Sequence, residues 1–304
     1  MAAVDSQDTL PELTRSRTEL RGYLSLLRPG QWAKNILVVP LPLLDAPAWT
    51  AGILLRTLWA IAAFTLASAT VYVINDIADR RTDRLHPVKR HRPIAAGRIG
   101  VRPAALLATA LAGAIVAMVL AWPVIGWWPL LAYLALNAGY SAWLKRVPLL
   151  DLFVVACGFV LRVTQGYLAT GDTVSDSLGL CVLGACLLLV LGKRRQELAA
   201  LGARLRPALR GYTTGFIDQL LVLCAGLILV SYLVYLRVEI QLPKAALVSV
   251  LCALFAVFRY LQVVLVHAGG DNPVRILLRD RLMVINAAIW FVLLAGFEIV
   301  HRYS

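Results

Sequence analysis

Apolar and polar positions alternate along this chain in long blocks rather than residue by residue. Apolar runs at 35–44, 58–74, 104–122, 126–143, 149–168, 178–191, 217–236, 245–266 and 282–300 are separated by short polar connections. Most runs approach the ~20 residues that an α-helix needs to cross a bilayer. The pattern therefore predicts an all-α, polytopic membrane protein of about nine helices. The first and sixth runs are short, and Pro40 and Pro42 interrupt the first. The first 18 residues are polar with no apolar core, so they read as a mobile tail rather than a cleaved leader. Leu20, Tyr23, Leu24 and Leu27 then recur at helical spacing beside Arg21 and Arg28. This fits a short helix lying in the membrane interface, and fits equally a helix packed on the body of the protein. Residues 19–304 read as one membrane domain, since no polar stretch is long enough for a separate soluble one.

Composition agrees with the pattern. Apolar residues make up 60% of the chain and charged residues 15%, against roughly 45–50% and about 25% in soluble domains. The net charge is +13, and its placement says more than its size. Residues 80–102 hold eight cations in 23 residues, and further cations gather at Lys145–Arg146, at Lys193–Arg195, at Arg204, Arg206 and Arg210, and at Arg275, Arg279 and Arg281. The alternate connections keep only Arg56, Arg237, Lys244 and Arg302, and the connection at 171–176 is acidic. By the positive-inside rule this puts the N-terminus and the cation-rich connections on the cytoplasmic face of a cell (inner) membrane. The cations are scattered between spans with no recognition fold, which argues against a nucleic-acid partner. Cys157, Cys181, Cys186, Cys224 and Cys252 all lie in apolar runs and form no CxxC pair, so they read as small buried hydrophobes.

Candidate chemistry concentrates where the second run ends. Asn75-Asp76-Ile77-Ala78-Asp79-Arg80-Arg81-Thr82-Asp83 places carboxylates at i, i+3 and i+7, which one continuous helix would present on one face. Their repulsion is relieved by a cation, and hard oxygen donors beside Asn75 suit Mg²⁺, which takes few carboxylates and completes its shell with waters and substrate phosphates. The following His86-Pro87-Val88-Lys89-Arg90-His91-Arg92-Pro93 is strongly basic. Acid for a metal beside base for phosphate points to diphosphate chemistry at the cytoplasmic membrane face, with Lys89, Arg90 and Arg92 as anion contacts. Arg162 is charged within a run, with Asp151 eleven positions earlier on nearly the same face, and it is open to two readings: an arginine paired internally to fix helix packing, or an anion contact in a cavity.

Asn-Asp-x-x-Asp-x-x-x-Asp after the second helix resembles the first aspartate motif of the UbiA prenyltransferase superfamily. Arg28-Pro29-Gly30-Gln31-Trp32-Ala33-Lys34-Asn35 resembles that family's entry to helix one, His86–Gly97 its segment after the aspartates, and Tyr140-Ser141-Ala142-Trp143-Leu144-Lys145 the end of its helix four. The resemblance runs from about Leu26 to the C-terminus. It implies helices around a central cavity and Mg²⁺-dependent departure of diphosphate, with Asp76, Asp79 and Asp83 holding the metal. The chain departs from the aromatic-prenylating members after helix six. Their second aspartate motif is replaced by Leu191-Gly192-Lys193-Arg194-Arg195-Gln196-Glu197-Leu198.

That segment, with Gly211-Tyr212-Thr213 and Leu278-Arg279-Asp280-Arg281-Leu282, is similar to the decaprenyl-phosphate phosphoribosyltransferase branch. The branch implies a phosphoribosyl diphosphate (PRPP) donor, a polyprenyl phosphate acceptor and a role in cell-envelope arabinan precursor synthesis. On this reading Asp76, Asp79 and Lys193 carry the catalysis. Gln31, Lys34, Asn35, Asn75, Asp83, Lys89, Arg90, Arg92, Tyr140, Lys145, Arg162, Arg194, Glu197 and Arg279 line the substrates. An acidic pole at Asn75–Asp83 and a basic pole at Lys193–Arg194 would suit a donor with phosphate at both ends. Two rivals stand beside it: an aromatic prenyltransferase of the same superfamily, and a non-catalytic transporter or lipid-binding protein. A homo-oligomeric state is left open.

Overall fold

The computed structural model describes residues 22–38, 50–122, 126–201, 207–239, 243–267 and 279–303. These residues form helices and turns, with no strand among them. A short helix α1 (22–27) leads into a 3-10 segment, Pro29–Val38. The long elements are α2 (Ala51–Ala78), α4 (Val101–Ala121), α5 (Trp128–Ala142), α6 (Leu150–Thr170), α7 (Asp176–Leu201), α8 (Thr214–Val234), α9 (Pro243–Leu265) and α10 (Arg281–Tyr303), with a short α3 (Arg80–Leu85) after α2. Six of them are long and apolar enough to cross a membrane. The second to ninth apolar runs correspond to these eight long helices. The first run falls on the 3-10 segment and on residues outside those described.

The chain packs as two compact units, residues 1–138 with 161–173 and residues 139–160 with 174–304. In the first unit α2 is the central helix. Its Trp59, Ala60, Ala63, Phe64, Ala67 and Val71 are buried against Ile115 of α4, Leu130 and Tyr133 of α5 and Ala169 of α6. The alanines along α2 allow neighbouring backbones to approach closely, as membrane helices require where lipid gives no hydrophobic drive between them. Leu26 of α1 is fully buried with Val73, Ile94, Ile99, Ala104 and Ala108, and Tyr23 packs against the same group. The amphipathic entry is therefore a helix docked on the unit, through Leu26 rather than through Leu24, which is exposed. Gly97, at φ +73, makes the turn that lets Ile94 and Ile99 both reach this cluster.

In the second unit Leu187, Leu188 and Leu191 of α7 meet Ile217, Leu221, Cys224, Ala225 and Ile228 of α8 and Val257, Tyr260 and Val264 of α9. At Gly192 α7 packs directly on Tyr260 of α9: a Cβ there would lie 2.2 Å from the Tyr260 hydroxyl, which itself donates to the Leu188 carbonyl. Tyr232, Ser249 and Trp290 tie α8, α9 and α10 together, the indole donating to both hydroxyls at 3.0 and 2.7 Å. Two helices extend past the runs that announced them. The run 58–74 becomes 51–78 and the run 178–191 becomes 176–201. In both cases the turns added at the C-terminal end carry charged residues with partners nearby.

Candidate functional site

The first cluster lies in the first unit. Helix α2 carries Asn75 and Asp76 in its last turns and stops at Asp79, whose ψ of 1° breaks the helical run before α3 begins. Asp76, Asp79 and Asp83 thus do not share the single helix face that their spacing suggests. The break brings Asp76 and Asp83 together instead. Both are buried at 3% exposure, while Asp79 is half-buried at the joint. Arg92 Nη1 donates to both, at 3.1 Å to Asp76 Oδ1 and 2.6 Å to Asp83 Oδ2. Arg28 donates to the same Asp76 oxygen, and its guanidinium lies 4.8 Å from the centre of the Tyr72 ring. Lys89 Nζ stands 3.9 Å from Asp83 Oδ1.

Arg28 adopts the left-handed region at φ 50, where the chain turns out of α1. Strain of that kind is held in place only by its surroundings and gathers at sites. Its carbonyl accepts from the Gln31 amide at 2.8 Å. Arg90 is exposed, and its Nε donates to His91 Nε2 at 3.3 Å. His86 Nδ1 accepts from the amides of Val88 and Lys89, so it builds the turn of the basic segment.

Two carboxylates already drawn to one cation fit a Mg²⁺ site that is completed by waters and substrate phosphates. Among the described residues no three His, Cys, Asp or Glu side chains converge. The basic residues are within reach of the same oxygens, and a phosphate entering beside a metal would find Arg28, Arg92 and Lys89 there.

Deeper in the same unit, Arg162 is 6% exposed and joins three elements. Its Nε donates to Asn35 Oδ1 at 2.9 Å, and its Nη2 donates to Tyr133 OH at 3.0 Å and Ser68 Oγ at 3.3 Å. The guanidinium also lies over the Tyr133 ring at 4.6 Å. Asn35, 1% exposed, passes the bond on to Thr65. Of the entry-segment candidates, Gln31 is half-buried, and the Lys34 side chain lies outside what is described. Tyr133 and Ser68 were not foreseen. A tyrosine and a serine at buried positions inside apolar runs were the available signal.

The second cluster belongs to the second unit. Lys193, Arg194 and Glu197 lie on α7 itself, not in a loop after it. Arg194 is 4% exposed; its Nε donates to Asp151 Oδ2 at 3.0 Å and its Nη1 to Glu197 Oε2 at 2.8 Å. Lys193, half-exposed, lies 4.0 Å from the other Glu197 oxygen. This is a charge-balanced group, two cations with two carboxylates, rather than the purely basic pole expected from the local sequence. Tyr140 lies close enough to Arg194 to interact with it electrostatically. Lys145 sits in the 3-10 turn Leu144–Arg146, half-buried.

Asp151, fully buried, also accepts from the Tyr212 hydroxyl at 2.9 Å. Burial, with the Asp151 charge adding to it, holds the Tyr212 phenol well above its usual pKa, so it stays a donor. Tyr212 and Asp151 were not among the expected site residues, although each is a polar group at the edge of an apolar run.

Arg279 is exposed. Its neighbour Asp280 pairs with Arg259 at 2.7 Å and accepts from the Met283 amide at 3.1 Å, which caps α10. The Arg259 hydrogen bond holds the Asp280 carboxyl below its ordinary pKa. A depressed carboxyl stabilises the fold above its unfolded pKa and loses that contribution as pH falls through the folded value. Asp280→Asn should therefore lower Tm at pH 7, and the gap to wild type should close as pH drops below about 4, read by thermal scans across pH.

The sequence model of the UbiA prenyltransferase family matches residues 40–296. A decaprenyl-phosphate phosphoribosyltransferase of Mycolicibacterium smegmatis is 29% identical over 309 residues, covering 94% of this chain and 95% of its own. A decaprenyl-phosphate phosphoribosyltransferase of Corynebacterium glutamicum is 30% identical over 286 residues, covering 88% and 84%. Among solved structures, a UbiA homolog from Archaeoglobus fulgidus bound to GPP and Mg²⁺ superposes with a TM-score of 0.68 at 20% identity, over 91% of this chain and 99% of that one.

Proposed function

The chain belongs to the UbiA prenyltransferase family, and from that premise we propose that it transfers 5-phosphoribosyl from PRPP to a polyprenyl phosphate, decaprenyl phosphate by analogy, releasing diphosphate. The observation that carries this is the match, across nearly the whole length of both chains, to relatives named for that transfer. The replacement of a second acidic motif by Lys193 and Arg194 on α7 supports it. The product would feed cell-envelope arabinan precursors. The protein is an integral membrane protein, and the cation distribution supports a site facing the cytoplasm with the N-terminus on that side.

Asp76 and Asp83, with Asp79 and Asn75 adjoining, are the residues that would hold Mg²⁺. When bound, the metal neutralises charge building on the departing diphosphate. Arg28, Arg92 and Lys89 turn from the carboxylates to the phosphate oxygens, where guanidinium forks give paired hydrogen bonds. Gln31, Lys34 and Arg90 are assigned to the margin of that site, and Asn35 with Arg162 to its inner wall. In the second unit Lys193, Tyr140, Lys145 and Arg279 are assigned to phosphate, with Arg194 and Glu197 setting the angle of Lys193.

As the ribose C1–oxygen bond to diphosphate breaks, its electron pair leaves with the diphosphate, and a lipid phosphate oxygen forms the new bond to C1 from the opposite face. The acceptor is already an anion at neutral pH, so no strong general base is needed.

The test is incubation of purified protein with labelled PRPP, polyprenyl phosphate and Mg²⁺. A labelled lipid is expected. Turnover of a prenyl diphosphate with an aromatic acceptor instead would overturn the assignment, and turnover of neither would favour a transport or lipid-binding role. Lys193→Ala should raise the donor KM about 10- to 100-fold, the loss of one charge-assisted hydrogen bond. An unchanged KM removes Lys193 from the site.

A further inference from the structure

Among the described residues only two other than glycine have a left-handed backbone, Arg28 and Leu149. Arg28 belongs to the first cluster. Leu149 sits in the second unit, four residues past Lys145 and two before Asp151, where α5 hands over to α6. A branched, bulky residue at φ 68 needs its surroundings to hold it. The Tyr212 hydroxyl does so: it accepts the Leu149 amide at 2.6 Å and donates to Asp151 Oδ1 at 2.9 Å. Its neighbours are fitted to that task. Gly211 packs against the Pro148 ring so closely that a Cβ would fall 2.4 Å from Pro148 Cγ. Thr213 caps α8 by accepting the Phe216 amide. Gly211-Tyr212-Thr213 therefore reads as one clamp: a contact, a hydroxyl bridge and a helix start.

The clamp extends to the charged face of α7. Asp151, held by Tyr212 through one oxygen, receives Arg194 on the other; Arg194 holds Glu197, and Glu197 faces Lys193. A single hydroxyl thus fixes the end of the connection after α5 that carries Lys145 and, through Asp151, the α7 turn that carries Lys193.

We propose that Tyr212 is a positioning residue for phosphate binding in the second unit: its hydroxyl sets Lys145 and Lys193 by holding Leu149 and Asp151 together. This rests on the phosphoribosyl-transfer reading above. Tyr212→Phe keeps the ring and removes only the bridge. It should raise both the donor KM and the PRPP Kd, measured calorimetrically on the full-length protein with Mg²⁺, by about tenfold, while kcat changes by less than about threefold. In a Lys193→Ala background the same change should have a clearly smaller effect, because one of the two groups being positioned is gone and only the Lys145 part remains.

Asp151→Asn, which keeps the shape and the acceptor for Tyr212 but weakens the hold on Arg194, should show the same coupling to Lys193 and serves if Tyr212→Phe fails to fold. A Tyr212→Phe protein with lowered Tm and unchanged KM and Kd would make the role purely structural. Full additivity with Lys193→Ala would equally overturn the proposal. Wild-type protein that binds PRPP without turning it over would sink the transfer reading alone, since the Kd comparison still decides the role of Tyr212.

Discussion

Asp76→Asn should lower kcat/KM by about 10³-fold or more, roughly 4 kcal/mol of transition-state stabilisation, in protein that still folds. The two halves of this expectation have separate causes. The carboxylate is buried and takes hydrogen bonds from both Arg28 and Arg92, so it is the point at which cations are gathered in the first cluster. An amide oxygen of the same shape still accepts a hydrogen bond but supplies no charge to a divalent ion. Folding is spared because the two guanidiniums do not become buried and unpaired. Arg92 keeps Asp83 at 2.6 Å, and each guanidinium remains about a quarter exposed, so water can take up what the carboxylate gave. The measurement is turnover against Mg²⁺ concentration for wild type and variant, with a thermal scan of each. Wild-type activity should saturate with Mg²⁺ and the variant should stay near background throughout. Substantial turnover with an unchanged Mg²⁺ midpoint would place the metal elsewhere.

The architecture was legible wherever an element is dictated by apolar length. Eight of the nine runs reappear as the long helices, because a segment that must satisfy its backbone within lipid has little choice but helix. Boundaries were misread at the ends of α2 and α7, and for one reason. Hydropathy drops at the first charge, whereas the helix continues as long as its side chains find partners. Asn75 and Asp76 stay in α2 because arginines meet Asp76. Lys193 to Glu197 stay in α7 because Arg194 and Lys193 share Glu197 across one turn.

The candidate residues were legible as a set, since charge clusters beside apolar runs stand out in one dimension. Their pairing was not. Asp76 meets Arg28 from 48 positions away, and Arg194 meets Asp151 from 43. Reading the chain by neighbours therefore divided it into an acidic and a basic pole, where contacts in space mix both signs in each cluster. Tyr212 stands out in the sequence only through a resemblance for the same reason: its meaning lies in Leu149 and Asp151, more than 60 positions earlier.

The largest loss of stability is expected from Asp151→Ala. Asp151 is fully buried and Arg194 is 4% exposed, so removing the carboxylate leaves a guanidinium with only the partly exposed Glu197 for a charged partner among the bonds it makes here, and leaves the Tyr212 hydroxyl without its acceptor. Breaking one side of such a pair costs about 3–5 kcal/mol, because the remaining charge stays desolvated. At roughly 2–4 °C per kcal/mol for a chain of this class, Tm measured in detergent should fall by about 10 °C. Asp151→Ala combined with Arg194→Leu separates the cause from simple loss of packing. If the uncompensated charge is responsible, removing it should recover most of the lost Tm, while donor binding stays impaired because Glu197 and Lys193 are no longer held. If the double variant is less stable than Asp151→Ala, the ion pair stabilises the second unit in its own right, and the argument from stranded charge fails.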